Sequence, residues 1–372
     1  MTVASHPPFR ADHVGSLLRP PQLLAARAAF AAGDVTADQL RAVEDGAIRD
    51  VVRMQEDVGL QSATDGEFRR TSWHMDFIYQ LHGVHQAADK ITVHFRNAQG
   101  DLDFTSAALR VDGRIGIDEP IFGPDFAFLT STVTTATPKL TIPSPSMVHY
   151  RGGPAAIDKS VYPDEDEFWA DLSAAYAVQV RKVADLGCTY LQLDDTSLAY
   201  LNDPAQRAEF AAKGGDAEHQ HERYIRQINA ALAARPAGLF VTTHLCRGNF
   251  RSAWTAEGGY DFVAEALFGQ LDVDGFFLEY DDARSGGFEP LRFVPPGKRV
   301  VLGLVTTKRP ELESKDELKR RIDEAAKFVP LEQLCLSGQC GFSSTVEGNA
   351  LTIDEQIAKL NLIVKTAAEV WG

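Results

Sequence analysis

The sequence predicts an α/β chain folded as a closed (β/α)8 TIM barrel with an antiparallel β-hairpin insertion. Three observations carry this reading. Eight strand-like apolar runs can be counted, and most are followed by a helical pattern, which implies a parallel sheet. Polar clusters fall directly after the apolar runs, where the catalytic face of a barrel lies. No G-x-G-x-x-G follows the first strand, so the next alternative, a doubly wound open sheet, lacks its usual phosphate loop. The 372 residues, 44% of them hydrophobic, are enough for a large core, and residues 1–372 read as a single catalytic barrel.

The elements follow in order. Ala11 to Ser16 is a short first strand ending in Gly-Ser. A helix over 37–58 follows, with Thr36 as its N-cap and Leu40, Val43, Ile48, Val51 and Val52 as its apolar stripe. Leu60 to Thr64 is the second strand, ending at Asp65-Gly66-Glu67. Residues 91–118 break the pattern. Ile91 to Phe95 alternates, Asn97 to Gly100 and Asp112-Gly113 are turn signals, and 103–105 and 108–111 look like further strands. This stretch reads as a hairpin insertion that covers something. Regular alternation then returns. Strands at 139–142, 190–193, 239–244, 276–279, 299–304 and 334–337 are separated by helices near 165–186, 217–233, 262–268 and 315–328, and a helix over 353–370 closes the chain.

A net charge of -15 argues against a nucleic-acid groove and against binding to an anionic membrane. No run approaches the roughly 20 apolar residues that span a bilayer. Four cysteines are too few for a disulfide framework, so the chain reads as cytoplasmic with reduced thiols. Cys188 and Cys335, within or beside apolar runs, read as packed core.

Chemistry concentrates at the ends of later strands. His244 and Cys246 are two residues apart and share one side of an extended chain. Glu279 closes Gly275-Phe276-Phe277-Leu278, and Cys340 follows the last strand. Imidazole, two thiolates and a carboxylate suit Zn²⁺ as a set, although a His or Cys alone at a strand end reads first as packed core. Such a centre carries about one negative charge, which favours holding and alkylating a thiolate over hydrolysis.

Thr243-His244-Leu245-Cys246, the strand ending in Glu279, and Gln339-Cys340-Gly341 resemble the zinc motifs of cobalamin-independent methionine synthase. Val14-Gly15-Ser16 is similar to that family's Gly-Ser motif, Asp65-Gly66-Glu67 to its His-Gly-Glu segment, and Gln192-Leu193-Asp194-Asp195 to its Gln-Ile-Asp-Glu segment. The resemblance covers most of the chain and points to a short, single-barrel form of the catalytic domain. It implies a zinc-dependent methyltransferase in which His244, Cys246, Glu279 and Cys340 hold Zn²⁺ and the metal holds a thiol such as homocysteine. Glu67 and Asp194 would bind the amino group, and the backbone around Gly15 and Ser16 the carboxylate. The partners would be a small thiol and a methyl donor such as a methyl-folate.

Two departures stand out. The family carries a proton-donating histidine after its seventh strand, but Gly303-Leu304-Val305-Thr306-Thr307-Lys308 has none. Lys308 reads as a solvated surface lysine with a proton-donor role as the alternative, and His74 is a fallback donor. Trp73, His74 and Phe77 could stack on a flat donor or pack in the core. Arg247, beside Cys246, could clamp a carboxylate, phosphate or sulfonate, or pair with Asp281 or Asp282. Two other functions are weighed: addition of a coenzyme-type thiol to an epoxide, with Arg247 on a sulfonate, and a metal-free uroporphyrinogen-decarboxylase-like barrel.

Overall fold

The computed structural model describes residues 6–97 and 100–372. Among the described residues, nine strands form two sheets. β1 (Ser62–Ala63), β4 (Thr137–Pro143), β5 (Tyr190–Asp195), β6 (Phe240–Leu245), β7 (Gly275–Glu279), β8 (Arg299–Val305) and β9 (Leu334–Gly338) make one curled parallel sheet in that order. β2 (His82–Asn97) and β3 (Gly100–Gly116) make a separate antiparallel ribbon.

The eighth barrel position is the segment at 10–17. Ala11 forms a single parallel bridge to Leu336 of β9. Asp12 N–H donates to Leu336 O (3.0 Å), and Leu336 N–H to Arg10 O (2.9 Å). Toward β1 the same segment is tied largely by side chains: Ser62 Oγ donates to Asp12 Oδ1 (2.8 Å) and Thr64 Oγ1 to Gly15 O (2.6 Å). The fold expected from the sequence is present, but its first strand is one bridge and its second is two residues long. Gly15 explains part of this. Its φ of 142° suits glycine, and a Cβ there would stand 2.7 Å from Thr141 Cγ2.

The barrel strands are apolar on both faces because helices cover the outside. Val300, Leu302, Leu334 and Leu336 are fully buried with the helices' inner faces. The helix Ala37–Asp57 begins where expected: Gln39 N–H donates to Thr36 Oγ1 (3.2 Å), and Thr36 N–H to Gln39 Oε1 (2.8 Å). A helix over Pro21–Ala32, absent from the sequence reading, starts on Pro21 and stops at left-handed Gly33. That proline-first, glycine-last pattern was in the sequence.

The ribbon is longer than the insertion expected over 91–118. It starts at His82, and β3 runs unbroken through Asp112-Gly113, which is not a turn. The register shifts between His82 and Val84, where Gly83 (φ 72°) lies so close to Gly113 that a Cβ would sit 2.3 Å from its carbonyl oxygen. The centre of the Asn97–Gly100 turn lies outside the described residues. Ile91, Val93 and Phe95 are less exposed than Thr92, His94 and Arg96, so one face of the ribbon turns toward the barrel. No helix among the described residues is long and apolar enough to cross a membrane.

Candidate metal and thiol site

Register brings the strand-end residues together. Asp194 lies beside His244 across β5 and β6, and Glu279 closes β7 opposite Gly303. Cys246 and Cys340 follow the ends of β6 and β9. Ligand atoms of His244, Cys246, Glu279 and Cys340 all lie within 4.8 Å of one another, and all four residues are buried. The two sulfurs stand 3.5 Å apart, far beyond a disulfide bond. Two thiolates on a tetrahedral zinc stand about 3.8 Å apart, from zinc–sulfur bonds of about 2.3 Å. The donors therefore fit the ion.

The unsatisfied atoms point the same way. Both ring nitrogens of His244 and Glu279 Oε2 are buried without a hydrogen-bond partner in the protein. Buried polar atoms rarely go unpaired, and acceptor atoms gathered this closely suit a cation. Glu279 Oε1 accepts from Arg247 N–H (3.1 Å). Burial pushes the Glu279 carboxyl up, while Lys308 opposes the shift. The Cys246 thiol facing Cys340 holds Cys340 well below the usual thiol range, against burial and with help from His244 and Lys308. By contrast, burial pushes Cys188 up to about 12 and Cys335 up to about 11, as inert core thiols.

Glu67 and Asp194 occupy the same cavity as His244, Cys246 and Cys340, together with Ser16. Glu67 has φ 61°, a left-handed backbone uncommon for a side chain with a Cβ. Its Oε1 accepts from Thr141 Oγ1 (2.8 Å) and lies 3.6 Å from Arg70 Nη1. Burial pushes Glu67 up while Arg70 opposes it. Burial, with the Glu67 charge adding to it and His244 opposing it, pushes Asp194 up to about 7. Two buried carboxylates lining one cavity suit a shared cation. Asp194 Oδ1 is steered by Gln192 Nε2 at 2.7 Å. Gly341 lets Ser16 approach, since a Cβ there would fall 1.9 Å from Ser16 Oγ.

Three placements differ from the sequence reading. Arg247 is fully buried and engaged within the protein: Nη1 donates to Glu279 O (3.0 Å) and Tyr260 Oη (3.1 Å), and Nη2 to Gly258 O (2.6 Å). It does not line the cavity, so it braces the β7 end rather than clamping a substrate anion. Asp281 and Asp282 pair with Arg284 instead. Lys308 is not a surface lysine. It is buried, its Nζ has no hydrogen-bond partner, and its charge acts on Glu279 and Cys340. Arg19 was missed. Its guanidinium donates to Glu67 O and Arg70 O (both 2.8 Å) and to Ser343 Oγ (2.8 Å), joining the Glu67 loop to the one after Cys340. Nothing local in Leu17-Leu18-Arg19 marks that role, because every partner is distant in sequence.

The ribbon roofs the cavity with Ile91, Val93, Phe95 and Phe104, while Trp73 and His74 form a side wall. Phe77 is fully buried and packs against Phe122 and Tyr176 as core.

The chain is similar to known proteins. The family model described as cobalamin-independent synthase, catalytic domain, matches residues 127–369. YxjH of Bacillus subtilis, itself uncharacterised, is 48% identical over 98% of this chain and 95% of its own. A methionine synthase of Pyrococcus abyssi is 23% identical over 88% of this chain and 84% of its own. A crystal structure from Listeria monocytogenes, described as a candidate vitamin-B12-independent methionine synthase, superposes with a TM-score of 0.78 at 38% identity, covering 99% of both chains. A B12-independent methionine synthase from a Shewanella species, solved with selenomethionine, shares the fold at a TM-score of 0.72 and 19% identity, covering 97% of both chains.

Proposed function

The chain belongs to the cobalamin-independent methionine synthase family, and from that premise we propose a zinc-dependent methyltransferase that methylates an amino-acid thiol, homocysteine or a close relative. The carrying observation is the convergence of four buried donor atoms within 4.8 Å, with Glu279 Oε2 otherwise unpaired. His244, Cys246, Glu279 and Cys340 would hold Zn²⁺, which when bound keeps a thiol ligand deprotonated and nucleophilic at neutral pH.

The chain's other residues then position and shield the reactants. Glu67 and Asp194 take the substrate ammonium, and its charge favours ionised Asp194. The backbone around Gly15 and Ser16 would take the carboxylate, a role supported by Ser16 lining the cavity. The apolar ribbon excludes water from the displacement, and Trp73 offers a flat face to the donor. A methyl-folate is the donor class most consistent with relatives named 5-methyltetrahydropteroyltriglutamate–homocysteine methyltransferase, although the chain spans only 42% of the Bacillus velezensis protein of that name.

Epoxide opening by a coenzyme thiol loses its anchor, because Arg247 is engaged within the protein. Family membership sets aside the metal-free decarboxylase-like barrel. Metal analysis tests the proposal. Purified reduced protein is expected to carry about one zinc per chain, with two sulfur and two nitrogen or oxygen neighbours by X-ray absorption. Homocysteine should add a third sulfur. Less than about a tenth of an equivalent of zinc after metal reconstitution would overturn the reading.

A further inference from the structure

We propose that Arg19 is the positioning residue that makes this site select a thiol carrying an amino group. It does so by fixing the turn that presents Glu67 against the loop that follows Cys340. This rests on the reading above, in which Glu67 and Asp194 take the ammonium of a thiol whose sulfur lies near Cys246 and Cys340. It adds what sets the spacing between the two ends.

Arg19 is 6% exposed, and none of its hydrogen-bond acceptors is a carboxylate. Nη2 donates to Glu67 O and to Arg70 O, both at 2.8 Å. Those carbonyls stand at the two ends of one turn, which Arg70 N–H closes onto Glu67 O (3.0 Å). Nη1 donates to Ser343 Oγ at 2.8 Å, and to Ser343 O and Thr345 O at 3.3 Å. Ser343 Oγ gives its own hydrogen to Thr345 O (2.8 Å), which leaves its lone pairs to the guanidinium. One planar fork therefore spans the loops that follow β1 and β9.

Both loops reach the cavity. Glu67, Ser344 and Thr345 line it, and Ser344 Oγ lies 3.7 Å from Cys340 Sγ. Glu67, at φ 61°, keeps a backbone conformation that persists only when its surroundings hold it. Backbone bonds from the segment before Arg19 reach only the near ends of the loops: Leu17 N–H donates to Gly66 O (3.1 Å), and Phe342 N–H to Ser16 O (2.9 Å). A bridge between Ser72 and Thr345 joins the loops further along. Between these ties, Arg19 grips the Glu67 carbonyl itself. A ligand held at both ends needs its two grips correctly spaced, whereas a ligand held at sulfur alone is indifferent to where Glu67 stands.

Two thiols test the role. Homocysteine carries the amino group, and γ-mercaptobutyrate is the same chain without it. Zinc-loaded wild type, Arg19→Met and Arg19→Lys would be titrated with each by calorimetry. Wild type should bind homocysteine the more tightly. Arg19→Met should weaken homocysteine binding by about tenfold or more and γ-mercaptobutyrate binding by less than about threefold, at unchanged zinc content. Arg19→Lys keeps the charge but cannot span both loops, so it should lose nearly as much selectivity; it carries the same comparison if the methionine variant does not fold. The ratio of the two dissociation constants is a readout that a merely structural role would leave unchanged. Equal losses for both thiols would overturn the proposal, as would unchanged homocysteine binding or loss of zinc from both variants. Wild type that binds the two thiols equally would sink the ammonium reading of Glu67 and Asp194, and the proposal with it. Wild type that holds no zinc would sink the metal reading first.

Discussion

Asp194 and Glu67 are both buried in one cavity, and the burial that would let them hold a substrate ammonium also destabilises their charges. Asp194 is raised from 3.8 to about 7. An acid with a raised native pKa holds its proton more tightly when folded, so folding stability falls as pH rises between those two values. Asp194→Asn should therefore melt higher than wild type at pH 8, by on the order of 2 kcal/mol, and show little difference at pH 4. The same variant should lose at least about tenfold in homocysteine affinity at pH 8, for want of a charged partner. Calorimetry and titration would read both. Lys308 is the complementary case, a buried cation near an anionic donor set. Lys308→Met should leave zinc stoichiometry unchanged but shift thiol uptake to higher pH, by about one unit, because a second negative charge loses its counter-ion. His244, Cys246, Glu279 and Cys340 were legible as candidates because residue type and strand-end position sufficed. Burial of Lys308 and the internal use of Arg247 were not, because both depend on what folds over them.

The alternation over Ile91–Phe95 was the clearest local signal in the insertion, and it marks the face that roofs the cavity. Its extent was less legible. His82 to Lys90 mixes His, Gln, Ala and Asp without a clean period, and only pairing with β3 makes it a strand. Replacing residues 91–106 with a short glycine turn should keep the barrel folded and its zinc bound. The lower ribbon, Val84, Leu109, Val111 and Ile115, would remain packed in the core. Methyl transfer should drop at least about tenfold, because water then reaches the site. Zinc content, circular dichroism and turnover together would separate this from unfolding. Helix starts were legible where capping chemistry is local. Thr36 and Thr352 both form capping boxes with the residue three positions on. Thr36→Ala should cost about 1 kcal/mol in denaturant unfolding without touching activity.

The barrel floor holds a buried polar network where an aliphatic core is the usual filling. Asp12 accepts from Tyr190 Oη (2.8 Å) and Ser62 Oγ (2.8 Å) and lies 3.4 Å from Lys139 Nζ, with both charged side chains fully buried. Lys139 also rests over the Phe277 ring at 4.2 Å. This network joins the 10–17 segment to β1, β4 and β5, so it helps close the barrel where strand pairing is short. Asp12→Ala should cost about 3–5 kcal/mol, because it strands a buried ammonium. Asp12→Asn with Lys139→Met should recover much of that loss, measured as the urea midpoint. The sequence by itself determined the alternation of strands and helices, the helix caps and the residue types of the candidate metal set, because propensity, periodicity and ligand chemistry are local. Only the tertiary structure decided the single-bridge closure at Ala11, the roof over the cavity, the left-handed Glu67, the internal engagement of Arg247 and the burial of Lys308. Those follow from the register of parallel strands and from contacts between residues far apart in the chain, which no local pattern encodes.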